Sequence, residues 1–405
     1  MEKQILHIDV NNAFLSWTAV DMLKNGSKID IREISAIIGG DETRRAGIVL
    51  AKSQKAKEFG IQTAQTIYMA KAKCPSLKIY PSDYKIYKNY SDKLYNLLLE
   101  YTDKIERFSI DECFLDMTHY LMKDTLLNKA TEISKRVKEE LGFTVNIGVA
   151  HNKLLAKMAS DFTKPDRVHT LFQEEIPTKM WPLPVSELFM LGRKTVPKLY
   201  NMQIRTIGEL AKVDVSLLNK KFGKHGIQMW EYANGIDNSE VIYKKEKPKG
   251  IGNSVTLPSN ISQIDKLEEI LLALTEQVTY RLRKYNMLAN IVNVQLRTKN
   301  FEDTSHQGKL LMATSSTKEI YEKAKKLLRQ MFNDNMSIRL IGVRVDNLVE
   351  KEELQLSIFQ DDKLKKQEKL DEVIDSLKNK YGYSKITRAG KMNTNDLLKL
   401  KDIKQ

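Results

Sequence analysis

Cysteine is nearly absent: Cys74 and Cys113 are the only two in 405 residues. That excludes a disulfide framework, and the lack of any Cys/His cluster at zinc spacing excludes a structural zinc module. No apolar run is long enough to span a membrane. Met1-Glu2-Lys3-Gln4 leads straight into a strand-like run, not into a cationic and then apolar leader. A cytoplasmic protein is therefore expected. There is no internal repeat and no low-complexity segment. Acidic residues are the minority: 52 Asp and Glu against 66 Lys and Arg leave a formal charge of +14. Such an excess points to a polyanionic partner. The lysines are scattered, which suits phosphate contacts along a track better than one dense patch.

The apolar content of 41% is that of an ordinary globular chain. The length is too great for one core, so about two to four domains are expected. Residues 4–10 read as a buried strand, 34–39 and 47–52 as two short strands, and 54–59 and 64–73 as helices. Periodicity predicts a helix over 84–102 with Tyr87, Tyr90, Leu94 and Leu97 on one stripe. Strands are predicted at 104–110 and 113–117. A helix follows, with Asp124 as N-cap, Leu127, Ala130, Ile133, Val137 and Leu141 on one face, and Gly142 as its stop. Next come a strand at 143–149 and a helix at 152–162 that ends before Lys164-Pro165. Strand, helix, hairpin, helix, strand, helix is the ferredoxin-like order. Residues 170–235 read as short helices punctuated by Gly192, Gly208 and Gly223. The polar stretch 241–250 reads as a linker. Strand and helix alternate again over 253–348, most clearly at 290–298, 317–331 and 338–345. The charged tail from 349 carries one helical pattern around 362–380.

Two segments carry the chemistry. One is His7-Ile8-Asp9-Val10-Asn11-Asn12-Ala13-Phe14; the other is Ser109-Ile110-Asp111-Glu112-Cys113-Phe114-Leu115-Asp116. Each sets carboxylates at the end of an apolar run. Asp9, Asp111 and Glu112 are hard oxygen donors, which suit a pair of Mg²⁺ ions on a nucleotide triphosphate. In a flat strand Asp111 and Glu112 would point to opposite faces, so they can share a site only at a turn or strand end. The strand breaks there as required. An ordinary acidic turn is the plain alternative. Asp116 reads as a solvated or hydrogen-bonded strand residue.

These segments and their flanks resemble the palm of Y-family (translesion) DNA polymerases, in particular the bacterial DNA polymerase IV group. The resemblance implies an α+β multidomain, right-hand polymerase. Its ferredoxin-like palm would occupy 1–13 and 80–168, its small fingers 14–79 and its helical thumb 169–240. A linker at 241–249, an α/β little finger at 250–350 and a tail at 351–405 would follow. The resemblance further implies that Asp9, Asp111 and Glu112, with the backbone carbonyl of Val10, hold two Mg²⁺ ions. Phe14 would pack on the sugar and exclude a 2′-hydroxyl. Gln54 and Lys57 stand where the family has a triphosphate-contacting Tyr and Arg; Lys keeps the charge but not the planar fork. Asn11 stands where the family often has a second Asp. Lys164 matches a triphosphate-contacting Lys-Pro. Residues 186–211 resemble the family's helix-hairpin-helix, with Gly192 and Lys194 toward DNA and Met190 in the place of the first hairpin Gly. Ser254, Thr256, Arg339 and Arg344 are phosphate-contact candidates in the little finger. Gln355-Leu356-Ser357-Ile358-Phe359 resembles the sliding-clamp binding peptide, two apolar anchors on an extended segment.

The implied activity is low-fidelity, template-directed extension of a DNA primer from dNTPs by a monomer. Two rivals stand beside it. One is a catalytically silent, clamp- and DNA-binding regulator on the same fold, which Gln54 and Lys57 admit and the three carboxylates oppose. The other is a nucleotide cyclase, which would need no DNA track.

Overall fold

The computed structural model describes residues 2–40, 47–120, 125–244, 247–351, 362–382 and 386. The chain divides into one unit of residues 1–40 and 47–245 and another from residue 246 onward. No helix among the described residues is long and apolar enough to cross a membrane.

In the first unit β1 (Ile5–Val10) is buried at every position. It leads through Asn12, in the left-handed region, into α1 (Ala13–Lys24). An insertion then holds β2 (Ala36–Gly39), β3 (Val49–Lys52), α2 (Gln54–Glu58), α3 (Ile67–Lys73) and β4 (Lys78–Pro81). Its strands form a separate sheet in the order β3-β2-β4, and β4 had no counterpart in the sequence reading. Ser53 and Thr66 cap the two helices by accepting from the N–H groups of Ala56 and Met69. α4 (Tyr84–Leu98) buries the predicted stripe of Tyr87, Tyr90, Leu94 and Leu97.

After it come β5 (Ile105–Arg107), β6 (Glu112–Asp116), α5 (Leu126–Arg136), β7 (Val145–Ala150), α6 (Lys153–Ser160) and β8 (Val168–Thr170). The sheet order β5-β6-β1-β7-β8 makes β1 the central strand, antiparallel to β6 on one edge and β7 on the other. A strand so placed contacts only other residues, which is why its sequence is apolar apart from His7 and Asp9. Thr125, not Asp124, caps α5, accepting from the N–H of Asn128; Asp124 lies outside the described residues. The buried face of α5 begins at Leu126, while Leu127 is 44% exposed. The later start rotates the first turn, so the core row runs 126, 130, 133, 137. Gly142 ends the helix at φ 85°.

α7 (Val196–Tyr200), α8 (Ile207–Ala211), α9 (Val215–Phe222) and α10 (Lys224–Ala233) complete this unit. Thr206 and Glu209 form a capping box on α8. The expected linker starts later than predicted. Val241 is buried in the core around α7–α10, and the Ile242 N–H donates to Glu106 Oε2 at 2.6 Å.

The second unit holds β9 (Gly250–Ile261), α11 (Ile264–Lys284), β10 (Met287–Thr298), β11 (Asp303–Thr314), α12 (Thr317–Met331), β12 (Ile338–Glu350) and α13 (Asp362–Tyr381). The sheet order is β11-β10-β12-β9. Val292, Val294, Ile341 and Val343 face a core shared with α11 and α12. The other sheet face is polar. α13 docks on this unit by charge. Arg283 pairs with Asp375 at 2.6 Å and Asp371 at 3.7 Å, and Lys378 pairs with Glu276 at 3.0 Å. Asp371 also accepts from the N–H of Thr317, the first residue of α12. Leu370, Val373, Leu377 and Tyr381 of the same helix point to solvent.

Among the described glycines of the first unit, Gly148 has the tightest surroundings. A Cβ there would stand 1.8 Å from the carbonyl oxygen of Ala156 and 2.7 Å from the nitrogen of Ser160. Neither strand nor helix backbone can give that much. Gly148→Ala should therefore destabilise by about 3 kcal/mol or more. A thermal melt of the variant unchanged from wild type would show that α6 does not sit as described.

Candidate active site

The register of β1 and β6 sets Asp9 opposite Glu112. β5 ends at Arg107 and β6 begins at Glu112, so Asp111 occupies the turn, as the strand break predicted. The turn is held by the N–H groups of Phe108 and Ser109, both donating to the Glu112 carbonyl, and by the Val10 N–H donating to that of Asp111.

Three groups on or just after α6 complete the cluster. Lys164 Nζ donates to Asp9 Oδ2 at 2.5 Å. Lys157 Nζ lies 3.7 Å from the same oxygen and 3.4 Å from Glu112 Oε1. Asp161 holds both ammoniums, at 3.2 Å to Lys157 and 2.9 Å to Lys164. On the far side of Glu112, His7 Nε2 is 3.3 Å from Oε2. The two strands thus present paired carboxylates with positive charge already drawn between them.

The two carboxylates titrate in opposite directions. Burial pushes Asp9 above the ordinary carboxylate range, and the nearby lysines only partly offset it. Burial would raise Glu112 too, but the His7 hydrogen bond and the Lys157 charge outweigh it and hold the group at about 2. Lys164 suffers desolvation, yet Asp9 and Asp161 carry its pKa above the usual lysine value. Burial lowers that of His7.

Not every predicted residue joins this cluster. The Asp111 carboxylate accepts from Ser109 Oγ at 2.5 Å, within its own turn. Consequently no three acidic, His or Cys side chains among the described residues converge to hold a metal ion. The donor set is nonetheless chemically apt: hard oxygens on paired strand residues, drawing cations to themselves. Asp116 is a hydrogen-bonded strand residue, accepting from the Thr118 N–H.

Phe14 stands at the start of α1, stacked on Tyr87 with centroids 4.4 Å apart and flanked by Tyr84 at 5.9 Å. Gln54 and Lys57 are exposed on α2. Lys52, at the end of β3, has its pKa lowered by burial and by the charge of Lys57. Asn12 ties that strand to the start of α1, its Nδ2 donating to the Lys52 carbonyl at 2.7 Å.

The candidates for DNA divide similarly. Gly192 and Lys194 are exposed just before α7. The left-handed hairpin conformation falls on Met190, at φ 66°, and a Cβ on Gly192 would meet nothing. So the left-handed backbone position falls on Met190, the residue that stands in the place of the first hairpin Gly. In the second unit Ser254, Thr256 and Arg344 lie on the polar sheet face, with Asn293 and Gln295 beside them. Arg344 is engaged by Asp346 at 2.7 Å, and the Arg339 guanidinium lies 4.8 Å over the Phe301 ring. The clamp-like peptide Gln355–Phe359 lies outside the described residues.

Sequence reasoning missed His7, Lys157, Ser160 and Asp161. Two signals were available. His7 and Asp9 share a strand face by the period of two, and Lys157 with Asp161 has the i, i+4 spacing of a helical ion pair.

Residues 8–161 match the impB/mucB/samB family, and residues 248–358 match that family's C-terminal domain. Residues 188–237 match the thumb domain of DNA polymerase-iota. A DNA polymerase IV of Clostridium acetobutylicum is 46% identical over 389 residues, which cover 96% of this chain and 98% of that protein. One from Acetivibrio thermocellus is 36% identical, covering 96% and 97%. DNA polymerase IV 1 of Bacillus subtilis is 34% identical, covering 95% and 92%. Among solved structures, a Y-family DNA polymerase chimera of Dbh and Dpo4 shares the fold with a TM-score of 0.74 at 23% identity, covering 86% of this chain and 99% of that one.

The opposed titrations have opposite consequences for the metal-free protein. A carboxyl whose pKa is raised by folding stabilises only while protonated, and that stability is lost as pH rises through the folded value. A lowered one stabilises above its ordinary pKa of 4.5, and this is lost as pH falls through about 2. At pH 7 in EDTA, Asp9→Asn should raise Tm and Glu112→Gln should lower it, the latter through a loss of stability on the order of 1–3 kcal/mol. The Glu112→Gln deficit should shrink as pH falls from 4.5 toward about 2. Two Tm shifts of the same sign at pH 7 would refute this account of the cluster.

Proposed function

The chain belongs to the impB/mucB/samB family of Y-family DNA polymerases, and from that premise we propose how its residues divide the work. It is a template-directed DNA polymerase of the DNA polymerase IV type, acting in translesion synthesis on primer-template DNA with dNTPs. Its catalysis is metal-dependent; that the metals are two Mg²⁺ ions is our proposal. The observation that carries the reading is the Asp9–Glu112 pair, one buried and one half-buried, facing each other across adjacent strands with Lys157 and Lys164 against it.

Asp9, Glu112 and the Val10 carbonyl would hold the cations, joined by Asp111 once its carboxylate leaves Ser109. Bound there, divalent cations neutralise charge on the reacting phosphate and favour ionisation of the attacking 3′-hydroxyl. Lys164, on a loop past the end of α6, would turn from Asp9 to the triphosphate as the carboxylate becomes otherwise occupied. Asp161 keeps its ammonium local during that exchange. Lys57 and Gln54, with Lys52 behind them, would meet the triphosphate from the fingers. Phe14, held flat by Tyr87, would bound the sugar pocket. Gly192, Lys194, Ser254, Thr256, Arg339 and Arg344 would contact DNA phosphates. Arg344 must first leave Asp346, and Arg339 its place over Phe301. The peptide Gln355–Phe359 would bind a sliding clamp. In this assignment the palm takes 1–13 and 80–168, the fingers 14–79, the thumb 169–240 and the little finger 250–350. We propose that the enzyme works as a monomer in the cytoplasm.

Two experiments test these roles. Asp111→Ala or Glu112→Ala should abolish primer extension while leaving primer-template affinity nearly intact, since the carboxylates act on transition-state charge. Extension by either variant near the wild-type rate would remove that residue from the catalytic set. Phe14→Ala should lower discrimination against ribonucleotides by on the order of 10²-fold or more, because a clash excludes more strongly than a missing contact. Single-nucleotide insertion of a dNTP and its rNTP measures this, and an unchanged ratio would make Phe14 a core aromatic only.

A further inference from the structure

His7 has no part in the reaction as assigned above, yet it is fully buried against one of the carboxylates the reaction needs. It stands on the same face of β1 as Asp9, and its cross-strand partner is Phe114. The Phe114 ring packs on the imidazole with centroids 4.5 Å apart. Both ring nitrogens have partners: Nδ1 lies 2.8 Å from Ser160 Oγ and Nε2 3.3 Å from Glu112 Oε2. An ionised carboxylate can only accept, so Nε2 carries the proton toward Glu112.

Ser160 is the last residue of α6. It reaches His7 because the register partner of His7 on β7 is Gly148, where the strand and α6 backbones nearly touch. The Ser160 hydroxyl also lies 2.8 Å from the Lys157 carbonyl of its own helix; its one proton serves either that carbonyl or His7 Nδ1, not both at once. The chain Gly148–Ser160–His7–Glu112 therefore runs from a backbone contact to a carboxylate oxygen.

We propose that His7 is a positioning residue: clamped by Ser160 and Phe114, it holds Oε2 of Glu112 and leaves Oε1 directed at Lys157 and the bound cation. An unheld Glu112 would spread over several rotamers and lose entropy each time it ligated. This is how outer partners of metal-binding groups act, by orienting the donor. The inference rests on the proposed role of Glu112 as a cation ligand.

The test uses the full-length chain with primer-template and dNTP, and Mn²⁺ as the probe, its free fraction read by electron paramagnetic resonance. The Mg²⁺ dependence of single-nucleotide insertion is measured alongside. His7→Leu should weaken Mn²⁺ binding and raise the half-saturating Mg²⁺ by about tenfold or more, in the range seen when outer partners are removed. At saturating Mg²⁺ its turnover should recover most of the way. His7→Gln, whose amide N–H can still face Glu112, should restore most of the metal affinity. Ser160→Ala should shift both readings in the direction of His7→Leu, and it decides the matter if His7→Leu does not fold. Wild-type metal affinity in both His7→Leu and Ser160→Ala would overturn the proposal. So would a His7→Gln as impaired as His7→Leu, which would make the histidine a packing residue. Glu112→Gln is the separate control: if it binds Mn²⁺ as tightly as wild type, the ligand assignment has failed, and His7 with it.

Discussion

The register between β1 and its two neighbours is the constraint on which the site depends. Side chains alternate faces, so a slip of one residue against β6 would carry Glu112 to the opposite side from Asp9. Burial forbids that slip. β1 is covered along its full length, and the same slip would drive Ile8 and Val10 out of a core they fill. Apolar packing thereby fixes the separation of two carboxylates that would otherwise repel. The antiparallel pairing to β7 does the same for α6, which brings Lys157 and Ser160 to the cluster.

The cluster is also where the fold works against itself. Asp9 is desolvated further than its lysine partners can offset, and Glu112 is held charged by neighbours that are themselves half-buried or buried. Active sites commonly sacrifice stability in this way to keep groups charged and aligned. Lys157 and Lys164 among the carboxylates of Asp9, Glu112 and Asp161 leave the site with one negative charge in excess. On the roles proposed for these residues, an incoming cation would meet attraction, and an incoming triphosphate would meet lysines that need only change partners.

Much of this was legible in the sequence. The paired carboxylate segments, the break at Asp111, the helix predicted over 84–102 and found over Tyr84–Leu98, and the helix at 317–331 all follow from local pattern. The failures have local causes too. Thr125 caps α5 instead of Asp124, which shifts the apolar row by one residue at its start, and nothing in the spacing distinguishes Leu126 from Leu127. The ion pairs that Lys157 and Lys164 make with Asp9 are contacts across sequence separations above a hundred, which no periodicity encodes. The turning of Asp111 to Ser109 rests on a rotamer, whereas Met190, read in the place of the first hairpin Gly, does take the left-handed conformation that Gly would favour.

The last helix among the described residues of the second unit inverts the usual arrangement. α13 turns Asp371, Asp375 and Lys378 inward and leaves Leu370, Val373 and Tyr381 in water. Its attachment thus buries charge and hydrogen bonds rather than oil. Since apolar surface newly exposed to water raises the heat capacity of unfolding and polar surface lowers it, releasing this charged contact would add little to that heat capacity. A domain whose final element comes and goes in that way would look, by its heat capacity, much the same with the helix on or off.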